Sequence, residues 1–281
     1  MKNAVLVLSH GRADNCVTIK ALRRQNYTGD WYVVIDDEDE QETEYRSRYG
    51  EHVIQFCKRE TMARVDSMDN FRKHGAVVYA RNECWEIADR LGLTHFLVLD
   101  DDYNCFEVRY ADGVKLKSAR PANVTPLFDA TFWFLDESGA DAVCWGQGGD
   151  FLGGVRGGFY WRGLSRKAMN CWFFRTDRPL EFRGTLNEDT TLYAEQGRSG
   201  KLFLTITPLG IHQKQTQQYG GGLTDIYLDM GTYIKSFYSV MACPSAVTVG
   251  MMGGTKDSRR YHHNVDYDLC APKILSGRYR K

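Results

Sequence analysis

Between residues 4 and 100 the chain alternates short apolar runs with stretches whose apolar residues recur every three or four positions. AVLVLS (4–9), WYVVID (31–36), HVIQF (52–56) and THFLVLD (94–100) read as strands buried in a sheet. After the first of them, Cys16, Ile19 and Leu22 form a helical stripe, with Asp14 as its cap and Asn26 and Gly29 at its end. EDEQETEYRSRYG (38–50) places acids first, arginines last and Gly50 as a stop, the polarity a helix dipole favours. In ARNECWEIADRLG (80–92), Cys84, Ile87, Ala88 and Leu91 share one face and Gly92 closes the helix. This order predicts an α/β fold: a mostly parallel, Rossmann-like sheet with right-handed crossovers, flanked by helices.

Beyond Asp102 the alternation weakens. Thr125-Pro126 opens another helix, with Leu127, Phe128, Thr131 and Leu135 on its face and Gly139 at its end. DAVCWGQ, NCWFFRT and KLFLTIT predict further strands around a helical stretch, NEDTTLYAEQG. The segment 146–163, GQGGDFLGGVRGGFYWRG, is rich in glycine and aromatics. With no internal repeat and no low-complexity linker, the simplest division is one main domain over 1–235, in halves 1–104 and 105–235, and a C-terminal extension over 236–281.

Composition narrows the classes. The 281 residues are 43% hydrophobic, enough for a sizeable core, and the acidic and basic residues balance at 36 each. No global field therefore announces a nucleic-acid or membrane partner, although local patches are compatible with neutral totals. The eight cysteines show no CxxC pair and no zinc spacing, so they read as reduced thiols. The first residues, MKNAVLVLSHGR, carry too short an apolar run for a signal peptide. No run approaches the roughly 18 apolar residues of a membrane span. The expectation is a soluble, cytoplasmic protein without membrane association.

Open α/β sheets bind ligands beyond the carboxyl ends of their strands. Three such ends are polar here: Ser9 to Arg12, Asp36 with Asp37, and Asp100, Asp101 and Asp102. Carboxylates two apart at a strand end can clamp a divalent cation that bridges a diphosphate; solvated loop carboxylates are the plain alternative. Glu188 and Asp189 open a helix between later strands, where a carboxylate can act as general base or merely as a first-turn acid. His212, after KLFLTIT, can complete a metal's ligand set or be an ordinary surface imidazole.

Strand-SHGR, strand-IDDED, ARNECWEIADRLGLTHFLVLDDD, NEDTTLY and GIHQKQ, in that order, resemble the GT-A type of nucleotide-sugar glycosyltransferase across residues 4 to 215. The narrower resemblance, in the HGR loop, the DDD and HQKQTQQYGGG, is to phage and TET-associated enzymes that glycosylate hydroxymethylated pyrimidines in DNA, acting in the host cytoplasm. It implies a donor half over 1–104, an acceptor half over 105–235, and transfer with inversion from a UDP-sugar to 5-hydroxymethylcytosine. It further implies that Asp100 contacts the donor ribose with Asp101 assisting, and that Asp102, with Asp100 and His212, holds Mn²⁺ or Mg²⁺. Ser9, Arg12, Asp36, Asp37 and Arg81 would line the donor nucleotide; Asp189 would be the base, with Glu188 beside it. The glycine run QYGGG would cover the diphosphate with backbone amides.

From Arg156 to Arg183 seven basic residues face two acids, Asp177 and Glu181, with Phe159, Tyr160, Trp161, Trp172 and Phe173 interleaved. Arginines among aromatics suit phosphates and a displaced base, with Arg156, Tyr160, Trp161 and Arg162 foremost and KDSRRYHH and RYRK adding backbone contacts. The aromatics of NCWFFR also fit a core strand, and a sugar acceptor would equally stack on Tyr160 and Trp161. Three other readings stay open: a transferase acting on a glycan or small molecule, a nucleotidyltransferase, and a non-catalytic nucleic-acid-binding protein.

Overall fold

The computed structural model describes residues 1–70, 75–213, 233–253 and 260–271. Its first half follows the predicted alternation: β1 (Asn3–Leu8), α1 (Val17–Arg24), β2 (Asp30–Asp36), α2 (Glu42–Tyr49), β3 (Val53–Phe56), α3 (Lys58–Arg64), α4 (Val77–Arg90) and β4 (His95–Asp100). β3, β2, β1 and β4 lie side by side and parallel. Strand alternation supplies both faces of the sheet from single runs. Ala4, Leu6 and Leu8 join a cluster with Val78, Cys84, Trp85 and Ile87 of α4, whereas Val5 and Val7 join Ile19 and Leu22 of α1 and Tyr45 of α2 on the opposite face. α1 begins at Val17 without a side-chain cap, because Asp14 lies within a turn from Arg12 to Asn15 and Cys16 occupies the cap position.

Beyond Asp102 the chain forms a hairpin, β5 (Tyr103–Asp112) and β6 (Lys115–Ala119), turned at Gly113 with φ 58°. Then come α5 (Thr125–Ser138), β7 (Ala142–Gln147), β8 (Leu164–Ser165), β9 (Trp172–Arg175), α6 (Glu188–Arg198) and β10 (Phe203–Gln213). The sheet order is β3-β2-β1-β4-β9-β7-β10-β5-β6, with β8 against β10. β9 runs antiparallel between β4 and β7, so this half is mixed. The reversal brings the start of β9 and the ends of β4, β7 and β10 to one edge of the sheet.

Trp172 and Phe173 are fully buried in β9, so the aromatics of NCWFFR belong to the core. β10 continues past the predicted KLFLTIT segment, through a register shift between Ile206 and Gly210 that brackets Pro208. The extension contributes a helix, Lys235–Ala242, a hairpin of β11 (Val247–Met252) and β12 (Arg260–Val265), and a helical turn, Tyr267–Cys270. Cys243, Ala246, Val247 and Cys270 are buried in the same cluster as α4 and α6. Among the described residues no helix is long and apolar enough to cross a membrane.

Candidate active site

The end of β4 is held from below. Thr18, in the first turn of α1, donates its amide to the Asp101 carbonyl at 3.0 Å and its hydroxyl to the Asp100 carbonyl, and accepts from the Tyr103 amide at 2.9 Å. Fixed this way, the three aspartates take three different directions.

Asp101 turns inward. Its carboxylate accepts from Ser9 Oγ at 2.6 Å and from Arg12 Nη1 at 2.8 Å, and is buried. Burial raises its pKa, against the pull of Arg12 and Ser9. Ser9, Arg12 and Asp101 thus form one unit that fixes the loop after β1. The same loop donates the amides of Gly11, Arg12 and Ala13 to Asp39 Oδ2, Tyr45 Oη and Gln41 Oε1, at 2.8, 2.9 and 2.9 Å. Those amides are engaged, so the loop offers no backbone cradle for a nucleoside triphosphate of the kind a nucleotidyltransferase uses.

Asp100 faces the other half of the sheet. Arg81 Nη2 lies 3.2 Å from its Oδ1, and Tyr103 Oη donates to its Oδ2 at 3.2 Å. Arg81 Nη1 lies 3.0 Å from Glu188 Oε1. Arg81 is only 3% exposed, so one guanidinium joins the carboxylates of the β4 end and the α6 start out of water. Burial pushes Glu188 up to about 7, aided by Asp189 and opposed by Arg81. Asn82, next to Arg81, exchanges hydrogen bonds with the backbone of Phe182 at 2.9 and 3.0 Å, pinning the segment that leads into α6. Asp189 is also buried, and its Oδ1 accepts from the Thr190 amide at 2.6 Å.

Asp102 is the unsatisfied member. Gln213 Nε2 donates to its Oδ2 at 3.1 Å, but its buried Oδ1 has no partner among the described residues. Burial, then the neighbouring Asp100, push its pKa up to about 7. An orphaned carboxylate oxygen beside a second carboxylate is the arrangement a divalent cation would satisfy. Among the described residues no cluster of three His, Cys, Asp or Glu side chains surrounds this point, so a cation here would draw other ligands from substrate and solvent. His212 lies within β10, exposed, 3.4 Å from Asn104, next to a register shift at Gln213. Gln213 reaches Asp102 in this arrangement.

Asp36 is buried between His10 Nδ1, at 2.8 Å, and Lys58 Nζ, at 3.2 Å. Burial raises its pKa, but the bond to His10 and the charge of Lys58 outweigh it and hold the carboxyl below its ordinary range; the bond to Asp36 in turn raises His10. Asp37 is exposed and accepts from the Lys58 amide at 2.9 Å. The sequence points to His10 only as part of the Ser9 to Arg12 loop and does not point to Lys58, although both lie where parallel strands end.

Arg156, Tyr160, Trp161 and Arg162 stand on the glycine-rich segment that leaves the end of β7. Trp161 is 62% exposed and packs edge-on against Tyr160 at 5.0 Å; both arginines are exposed. Four other members of the basic run are engaged elsewhere: Arg175 with Asp136 and Asp177, Arg178 with the carbonyls after α5, Arg183 with Asp66 and Glu195, Lys167 with Asp150. The QYGGG run, the start of KDSRRYHH and RYRK lie outside the described residues.

A family model described as TET-Associated Glycosyltransferase matches residues 3–222. A search of curated proteins finds no match. Among solved structures, the chain is similar to glucosyl-3-phosphoglycerate synthase from Mycobacterium tuberculosis in complex with Mn²⁺, UDP and phosphoglyceric acid: 11% identity over 94% of this chain and 86% of that one, TM-score 0.45. It is also similar to mannosyl-3-phosphoglycerate synthase from Rubrobacter xylanophilus, at 12% identity over 95% and 87% with a TM-score of 0.44. Staphylococcus aureus TarS gives 13% over 86% and 39%, TM-score 0.47.

Proposed function

Because the chain belongs to the TET-associated glycosyltransferase family, we propose that it moves a sugar from a uridine diphosphate donor to the hydroxyl of 5-hydroxymethylcytosine in DNA. The observation that carries the reading is the Arg81 bridge, which brings the DDD and the Glu188–Asp189 pair to one sheet edge. Carboxylates at a strand end and at a helix start on the same sheet edge fit displacement at an anomeric carbon.

In this reading the acceptor hydroxyl attacks the anomeric carbon as the bond to the diphosphate oxygen breaks. Asp189 takes the hydroxyl proton, and attack opposite the leaving group inverts the anomeric centre. Arg81 keeps Glu188 beside Asp189 without making it the base, since Glu188 faces the guanidinium. Asp102, through Oδ1, would hold a divalent cation; among the described residues, Asp100, engaged by Arg81 and Tyr103, and His212, beside Asn104, form no ligand cluster with it. Such an ion, when bound, offsets the charge that builds on the leaving diphosphate. The Asp36–His10–Lys58 group and the Ser9–Arg12–Asp101 unit line the donor side. Trp161 and Tyr160, flanked by Arg156 and Arg162, supply a stacking face with phosphate contacts for DNA.

The test is intact-mass analysis of oligonucleotides with and without one 5-hydroxymethylcytosine, incubated with Mn²⁺ and a panel of nucleotide sugars. A gain of one sugar on the modified strand alone is expected. Donor hydrolysis with no gain on either strand would overturn the DNA acceptor and direct the search to glycans.

A further inference from the structure

The family match ends at residue 222, yet residues beyond it reach back to the helix that carries Glu188 and Asp189. Asn187 precedes Glu188 in a left-handed conformation, φ 55° and ψ 30°, which non-glycine residues adopt at some cost. Its side-chain amide donates to the Lys235 carbonyl at 2.8 Å and to His263 Nδ1 at 2.9 Å, with Ser239 Oγ at 3.4 Å. His263 Nε2 lies 3.4 Å from Thr190 Oγ1, one residue past Asp189. An amide donor makes Nδ1 the acceptor, so the ring proton sits on Nε2 and faces the threonine.

The contact continues down the helix. The Tyr267 ring stacks on Tyr193 at 6.1 Å with the planes 6° apart, and Arg198 Nη1 donates to Cys243 Sγ at 3.4 Å. Two of these anchors converge on Asn187 from separate elements, the helix Lys235–Ala242 and β12. Such convergence over-determines a strained residue, and here it fixes the direction in which the first turn of α6 leaves the loop.

We propose that the helix Lys235–Ala242 and β12 are a positioning element for this transferase, in which His263 and Asn187 lock the first turn of α6 and thereby set the aim of Asp189. The assignment rests on the reading of Asp189 as the base. Neither Asn187 nor His263 need touch substrate in this role. A displacement of about 1 Å at a reacting group costs on the order of a hundredfold in rate, so a small loosening here is read directly in turnover.

Three variants test it. His263→Ala deletes the acceptor, His263→Asn keeps an oxygen near the place of Nδ1, and Asn187→Gly keeps the left-handed backbone while removing the amide. Each is assayed with the nucleotide sugar of the panel that the wild type transfers, Mn²⁺ and the modified oligonucleotide, and by hydrogen exchange of the Thr190 to Tyr193 amides. The expected result is a loss in kcat of about tenfold or more for His263→Ala and Asn187→Gly with KM for the donor nearly unchanged. Exchange in the first turn of α6 accelerates in both, and His263→Asn recovers most of kcat. Unchanged exchange in His263→Ala and Asn187→Gly overturns the proposal, whatever the turnover. An equal loss in His263→Ala and His263→Asn, with a lowered melting temperature in each, also overturns it, since it marks a general structural role. If the wild-type chain turns over no substrate, the reading of the reaction fails while the exchange data still decide the anchoring.

Discussion

The Arg81 guanidinium lies 3.0 Å from the Glu188 carboxylate and is nearly fully buried, and its other nitrogen reaches Asp100. A buried charge with partners on both sides is costly to remove, because the carboxylates left behind lose their compensation. Arg81→Ala is expected to destabilise the fold by about 3–5 kcal/mol and to abolish turnover. Arg81→Lys keeps one charge but cannot fork between two carboxylates; it should fold and lose most activity. Denaturant midpoints alongside turnover check both, and a fully active Arg81→Lys enzyme would show that the bridge is not needed.

Asp102 places function against stability. Its folded pKa is raised to about 7 above an unfolded value near 4. The native state then holds a proton that the unfolded chain has lost, so stability falls as pH rises through that window. Asp102→Asn removes the penalty: without metal, it should melt higher than wild type at pH 8 and about equally at pH 4. It should also lose Mn²⁺-dependent donor binding and turnover. Melting curves across pH with and without Mn²⁺ check this; Mn²⁺ should stabilise only the wild type.

The first hundred residues were legible because strands buried on both faces read as plain apolar runs, and because polar residues at three strand ends stand out against them. The β5–β6 hairpin was not: β5 is buried only over its first residues, so neither period dominates, and the Asp112-Gly113 turn was its sole clear signal. Directions of side chains were equally hidden. Asp100, Asp101 and Asp102 are alike in sequence, but one pairs with Arg81, one with Arg12 and one is left with an orphan oxygen. The register shift beside His212 decides that Gln213 faces Asp102, and no local pattern encodes it. Asn187 and His263 meet across 76 residues with no shared motif.

Asp189→Asn is nearly isosteric and leaves Arg81 and the three aspartates at the end of β4 untouched. Donor affinity measured by calorimetry should be retained, with transfer reduced by a factor of roughly 10²–10⁴, the range general-base removal produces. A loss of donor binding instead would move the base elsewhere and make Asp189 part of the donor pocket.

Gly197 reports on the extension from the far end of α6. A Cβ placed there would lie 2.7 Å from the Cys270 carbonyl oxygen, a backbone atom with little freedom to give way. Gly197→Ala, which should favour an isolated helix, is therefore expected to destabilise this protein by about 1–3 kcal/mol. A denaturant midpoint above that of the wild type would mean the Tyr267–Cys270 turn does not pack as described.

His263 should give the fold an acid limit. Burial, then His262, Lys235 and Lys167 nearby, lower its pKa to about 4, and its Nδ1 must stay unprotonated to accept from Asn187. Between about pH 4 and the ordinary imidazole value near 6.5, the unfolded chain binds a proton that the native state excludes. Stability is then fully present above that window and falls as pH drops through it. Urea midpoints at pH 7, 5 and 4 should decline more steeply for the wild type than for His263→Asn, which has no proton to gain. Parallel declines in the two proteins would place the acid sensitivity in other groups and leave His263 an ordinary imidazole.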